Sequence, residues 1–156
     1  MYKEKVHVEE KLTVYIKDTK TGKIKTIVVK EPYREMSLWK KIKFRLGLLK
    51  QPGTLTTYGK EYAAKLWGGL SGGYSIDRLG AYSGTWTWKT VTGVYSATGI
   101  ITFSNQSDPW GNGAWTLVGC KNSALSDVNR HNSINVNVTI SGGSLQWWVE
   151  VQFTFS

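Results

Sequence analysis

Ser71 lies in GLSGG, residues 69–73, which matches the G-x-S-x-G pattern of a serine nucleophile. That chemistry needs a strand before the serine and a helix after it, so that a tight turn lifts the hydroxyl above a sheet. Here a helical pattern precedes the motif and strand patterns follow it. The glycines therefore read as a flexible connection, and Ser71 is not expected to be catalytic. A glycosidase needs two carboxyl groups facing each other across a sugar. The second part of the chain holds only Asp77, Asp108, Asp127 and Glu150, scattered along its length, besides Glu61. SDPWGNG, residues 107–113, lacks the ligand spacing of a calcium loop. Cys120 is the only cysteine and His7 and His131 the only histidines, which leaves no disulfide and no His/Cys zinc cage. The expectation is a chain that is not an enzyme, with no catalytic, cofactor-binding or metal-ligating residues and no cofactor.

Aromatic and basic residues are the stronger candidates, and they point to binding. Trp86 and Trp88 are two apart and share one face of any strand. With Trp110 they form a possible platform for stacking sugar rings, although a plug in the core is the preferred reading for the i, i+2 pair. Trp110 sits among Gly and Asn and is expected at a rim or interface. Trp147 and Trp148 are adjacent, so they must point to opposite faces. Trp39, Lys40, Lys41, Lys43 and Arg45 lie in SLWKKIKFRLGLLK, residues 37–50, and join Trp148 and Trp110 as interface candidates. This segment can lie on a membrane, meet nucleic acid, or pack one face on the domain with its lysines in water. The last is preferred, and nucleic acid is not the expected partner because no exposed aromatics interleave with the basic residues.

The charge is one-sided. Residues 1–60 hold fifteen Lys and Arg against six Asp and Glu, whereas residues 61–156 hold five of each. Seven of the eight tryptophans fall in that second, neutral part. A basic front third suits an anionic neighbour.

These residues need elements to position them. Val6, Val8, Leu12, Val14 and Ile16 alternate as a half-buried strand does, DTKTGK is turn chemistry, and IKTIVV returns. A loop over Thr19–Gly22 sets Val14 opposite Ile27 and Leu12 opposite Val29. Ser37 caps a helix over 37–50 carrying Trp39, Ile42, Leu46 and Leu49 as its stripe, stopped by QPG. Thr57 caps a second helix whose buried stripe is Tyr58, Tyr62, Ala63, Leu66 and Trp67. Short strands follow in YSIDRL, TWTWKTV, GVYSA, GIITFS, AWTLVGC, SALSDV, INVNVTI and LQWWVEVQFTF. A turn at Gly142-Gly143 would pair Ile140 with Leu145 and Val138 with Trp147, which puts Trp147 in the core and Trp148 on a polar face opposite Asn137. The fold class is mainly β: an antiparallel β-sandwich or barrel-like domain with an N-terminal hairpin and two short helices in the first half. One domain is expected over 1–156, comprising a hairpin (1–36), a helical segment (37–69) and a sandwich (70–156). No run reaches the ~18 apolar residues of a membrane span, and the start of the chain lacks the apolar core of a signal peptide.

DTKTGK, LTTYGKEYAAKLWGGLSGG, SIDRLGAYSG and VNVTISGGSLQWWVEVQFTFS, in this order, resemble virion structural proteins of tailed phages and archaeal viruses. The resemblance covers most of the chain, except the basic helix within 31–50. It implies a self-associating shell, collar or tail component without enzymatic activity, with a trimer favoured. The expectation is a capsid decoration or cement protein that docks on a coat or tail protein through its basic front third. It would reside in the virion after assembly in the host cytoplasm. A carbohydrate-binding module, or a receptor-binding tail protein that reads a host-surface glycan, is the alternative.

Overall fold

The computed structural model describes residues 7–49 and 54–156. Among the described residues, ten strands form two five-stranded antiparallel sheets facing each other as a sandwich. Sheet I has the order β2-β1-β10-β7-β6, from β1 (Val8–Asp18), β2 (Ile24–Lys30), β6 (Val94–Ala97), β7 (Ile100–Ser104) and β10 (Leu145–Phe155). Sheet II has the order β3-β9-β8-β4-β5, from β3 (Thr54–Leu55), β4 (Arg78–Tyr82), β5 (Trp86–Thr90), β8 (Gly113–Lys121) and β9 (Asn132–Ile140). The core lies between them. Leu12, Val14, Phe103, Trp147, Val149 and Val151 from sheet I meet Leu79, Ala81, Val118, Cys120, Ile134 and Val138 from sheet II.

The opening hairpin forms as its sequence requires. The Asp18 carboxylate accepts from Lys20 N (2.9 Å), Gly22 N donates to Asp18 O, and Gly22 takes φ +73°. Val14 faces Ile27, but a bulge between Leu12 and Thr13 moves Leu12 opposite Lys30 instead of Val29. The sandwich is not confined to residues 70–156. β1 pairs along its full length with β10, so the hairpin supplies two of the five strands of sheet I.

The Gly142-Gly143 connection is not a hairpin turn. β9 pairs with β8 and β3 in sheet II, and β10 pairs with β1 and β7 in sheet I. Alternation assigns a strand its buried face without naming its neighbour. Two alternating strands can bury their apolar faces side by side or, as here, against each other across the core. Trp147 is fully buried either way. SALSDV forms turns, and YSIDRL becomes a strand only from Arg78.

The described residues also form two helices, α1 (Leu38–Arg45) and α2 (Thr57–Trp67). Both end in glycine-closed turns, with Leu48 N donating to Lys43 O and Leu70 N to Lys65 O; Gly47 and Gly69 take positive φ there. Gly47 therefore ends α1 before Lys50. Lys50 itself, the QPG stop and Val6 lie outside the described residues. The cap of α2 is Thr56, one residue before Thr57, with its hydroxyl accepting from Gly59 N at 3.0 Å.

Candidate interaction surfaces

The basic arm is held by its polar side. Ser37 Oγ accepts from Lys40 N at 3.3 Å and starts α1. A single 3-10 turn, Tyr33–Glu35, ties the arm to β1 through Lys11–Glu35 (2.9 Å) and Arg34–Glu9 (3.6 Å). The Tyr33 ring then receives the Lys41 ammonium at 5.4 Å, the Arg45 guanidinium at 5.6 Å and the Phe44 ring at 5.7 Å. Lys40 pairs with Glu31 at 2.7 Å.

These contacts set which way the helix faces. Leu38, Trp39, Ile42 and Leu46 share one helical face, whereas the contacts with the Tyr33 ring are made by Lys41, Phe44 and Arg45. No residue of α1 is buried. Leu38 is 76% exposed, Trp39 72% and Leu46 67%. The expected packing of the apolar stripe on the domain is thus reversed. The two sheets cover each other's inner faces, and the helix is gripped through cations. Trp39, Lys40, Lys43 and Arg45 lie at the surface, with Lys41 half-buried.

α2 shows a similar departure. Only Gly59 and Tyr62 are buried; Tyr58, Ala63, Leu66 and Trp67 of the expected stripe are exposed. A Cβ on Gly59 would stand 2.0 Å from His131 O, so glycine is what lets the helix approach β9. The Tyr62 ring lies 5.2 Å from the His131 imidazole. His131 Nε2 donates to Tyr74 O at 2.7 Å, while buried Nδ1 has no partner. Burial holds the imidazole below its ordinary pKa, partly opposed by the Tyr74 carbonyl. Leu55, Leu66, Trp67, Ile101, Phe153 and Phe155 line an apolar groove of about 460 Å³ beside this helix.

Trp86 and Trp88 are not a core plug. They lie half-buried on the outer face of sheet II and stack on each other, with centroids 4.8 Å apart and planes 16° apart. Glycines in the neighbouring strands make room. A Cβ on Gly80 would meet Trp88 at 2.4 Å, and one on Gly119 would meet Trp86 at 3.3 Å. Lys121 sits over Trp88 at 4.5 Å and Arg130 over Trp86 at 4.6 Å. Asp127 joins them, accepting from Trp88 Nε1 (2.8 Å) and Lys121 Nζ (2.7 Å), with Arg130 bonded to its carbonyl. The hydrogen bond from Lys121 is the main cause that holds the Asp127 carboxyl below its ordinary pKa. The loop carrying Asp127 and Arg130 includes SALSDV, whose pattern suggested a strand and gave no sign of these contacts.

Two interface candidates are buried by the chain itself. Trp110 is 2% exposed. It forms a two-way backbone bridge with Trp147 and packs with Trp147 and Trp115 at centroid distances of 4.7 and 6.2 Å. Its indole donates to Thr87 O. A loop rich in Gly and Asn can still fold inward when its backbone finds strand partners. Trp148 is 5% exposed and stacks on Tyr15, its register partner in β1, at 5.5 Å and 11°. Asn137, the residue expected opposite it, lies in the other sheet.

Ser71 sits exposed in the turn after α2, with no strand before it. Burial pushes the Cys120 thiol strongly up, which suits a packing residue. Among the described residues, no three His, Cys, Asp or Glu side chains come together in a group able to hold a metal ion. None of the described helices is long and apolar enough to cross a membrane.

No protein-family model, curated protein or solved structure matches this chain. The surfaces must therefore be interpreted from their own chemistry. Two stand out: an arm whose apolar stripe and lysines face outward together, and a tryptophan pair enclosed by charged groups.

Proposed function

We propose that this chain is a non-enzymatic structural protein of a virion surface, of the capsid decoration or cement kind. It self-associates and docks on an acidic coat surface through its basic arm. One observation carries this reading: α1 buries none of its own residues while Leu38, Trp39 and Leu46 are displayed beside Lys40, Lys43 and Arg45. Large contiguous apolar surface bordered by charge is a mark of an interaction site. Trp and Arg are enriched among residues that dominate binding energy, whereas charges at the rim steer encounter. The arm thus combines an apolar anchor with a cationic rim, suited to an acidic protein partner.

The test is co-expression with the coat protein of the same virus, followed by sedimentation of assembled particles. The chain should travel with the shells at low salt and be released as salt rises. Trp39→Ala should weaken binding at every salt concentration, and Lys43→Glu chiefly at low salt. Failure to travel with shells at any salt would reject the docking role.

A second reading, recognition of a surface glycan, is favoured by the outer-face position of Trp86 and Trp88 beside Asp127, Lys121 and Arg130. Trp110 has no part in it, being buried. A glycan array on the chain and on Trp86→Ala tests this; the platform predicts selective binding that the variant loses.

A further inference from the structure

Three polar side chains enter one end of the core from three different strands. Glu10 of β1 and Asn132 of β9 are 6% and 0% exposed, and the Lys30 side chain of β2 is 12% exposed. Glu10 shares the inner face of β1 with Leu12 and Val14, and Asn132 shares that of β9 with Ile134. Lys30 reaches the same interior because of the bulge in its strand. Val28 pairs with Thr13 but Lys30 pairs with Leu12, so the extra residue brings the lysine round to the inner face. The Glu10 carboxylate joins the other two groups: Oε2 accepts from Asn132 Nδ2 at 3.1 Å, and Oε1 stands 3.9 Å from Lys30 Nζ. The Asn132 carbonyl oxygen accepts from Cys120 N at 2.6 Å. A buried ion pair is a weak source of stability, because removing two charges from water offsets their attraction. This pair instead sets an amine and a polarised amide beside the two oxygens of one carboxylate, a group that can move protons between them.

We propose that Lys30 and Asn132 become covalently joined by an isopeptide bond from Nζ to Cγ, with Glu10 as the catalytic carboxyl group. Glu10 first takes a proton from the Lys30 ammonium, which frees the lone pair of the amine. Nζ then attacks Asn132 Cγ, and the N–H of Cys120 holds the negative charge that develops on Oδ1. Glu10 hands its proton to Nδ2 as the Cγ–Nδ2 bond breaks, and takes up a second proton from Nζ. Ammonia leaves and carries that proton away as ammonium. One C–N bond forms and one breaks, nothing is oxidised or reduced, and no other reactant enters. Held beside one carboxylate, the two groups react without first having to find each other. A neutral amide replaces the Lys30 charge, and loss of ammonia to solvent makes the step one-way. Glu10 and Lys30 also line a pocket of about 540 Å³, through which ammonia can leave. The bond ties β2 of sheet I to β9 of sheet II.

The experiment needs only the full chain, so its outcome is independent of docking on a coat. Intact-mass spectrometry should find the folded chain lighter than its sequence requires by one ammonia. A digest should contain a branched peptide that joins Lys30 to Asn132, with no tryptic cleavage after Lys30. Lys30→Arg keeps the positive charge in a group that stays protonated, and should have the full sequence mass. Glu10→Gln keeps the shape but cannot transfer the protons, and should also have the full mass. Circular dichroism checks that both variants fold. Chains carrying Lys30→Arg report the hydrogen bonds of this cluster alone, so the contribution of those bonds to unfolding is measured in that background. A native folded chain of full mass, a lighter chain without the branched peptide, or a Glu10→Gln chain that forms the bond as completely as the native one would each overturn the proposal.

Discussion

Asn132 Nδ2 donates to Glu10 Oε2 at 3.1 Å, a hydrogen bond between buried side chains of opposite sheets. The same amide accepts from Cys120 N at 2.6 Å, so one side chain joins the β8 backbone to a carboxylate of β1. Lys30 stands 3.9 Å from the other Glu10 oxygen. Leaving a buried polar group unpaired costs about 1–3 kcal/mol, more when it is charged. Asn132→Leu strips both Cys120 N and Glu10 of a partner, and should cost about 2–4 kcal/mol in urea unfolding. Glu10→Gln keeps an acceptor and should cost clearly less. Equal losses for the two would show that the bond between the sheets is unimportant.

His131 gives the fold a pH dependence with a defined sign. Burial lowers its folded pKa below the ordinary value of about 6.5. As pH falls through about 6.5, the unfolded chain takes up a proton that the folded chain resists. Stability is therefore highest above that pH and declines below it, by at most about 1.4 kcal/mol per pH unit for one group. The Tyr62 ring and the Tyr74 carbonyl lie against the imidazole, and the hydrogen bond to Tyr74 O together with the charge of Asp77 offsets part of the effect. Melting temperature should drop between pH 7.5 and 5.5 in the native chain and drop less in His131→Gln. Parallel curves would rule out His131 as the source.

How much of this was legible in the sequence depended on distance along the chain. Alternation marked Leu12, Val14, Ile134, Val138 and Trp147 as core, and all five are buried. It could not reveal that Ile134–Ile140 and Leu145–Val151 face each other across the core, because a strand's pattern reports its face and not its neighbour. Ser37 was visible as a cap because capping is local. The direction of the α1 stripe was hidden, since it depends on Tyr33 holding Lys41 and Arg45. The tryptophan pair was visible as a pair. Its outer placement follows from Gly80 and Gly119, on strands whose pairing no spacing rule predicts.

Trp148 carries the clearest consequence of long-range register. The chain's own Tyr15 covers it, so its burial needs no second subunit. Replacing a buried aromatic by alanine typically costs about 3–5 kcal/mol. Trp148→Ala should lose stability of that order, and Tyr15→Ala should lose part of it, because each leaves the other ring uncovered. Neither should change the sedimentation mass. A native melting curve for Trp148→Ala with an altered mass would return Trp148 to an interface.

Gly80 sets the geometry of the Trp86–Trp88 stack. A methyl group at that position would stand 2.4 Å from Trp88 Cε3, so the indole must rise off the sheet or the strand must shift. Overpacking of this kind costs about 1–3 kcal/mol. Moving Trp88 also breaks its bond to Asp127 and its contact with Lys121. Two indoles stacked 4.8 Å apart should give an exciton couplet in circular dichroism. Gly80→Ala should weaken this pair's part of the couplet and lower stability together, whereas Trp86→Phe should remove that part, leaving the contribution of Trp110, Trp115 and Trp147, with a smaller stability loss. If Gly80→Ala preserved both, the stack would not depend on the glycine beneath it. If the couplet weakened and glycan binding, where present, survived, recognition would belong to Asp127 and Arg130 instead of the ring faces.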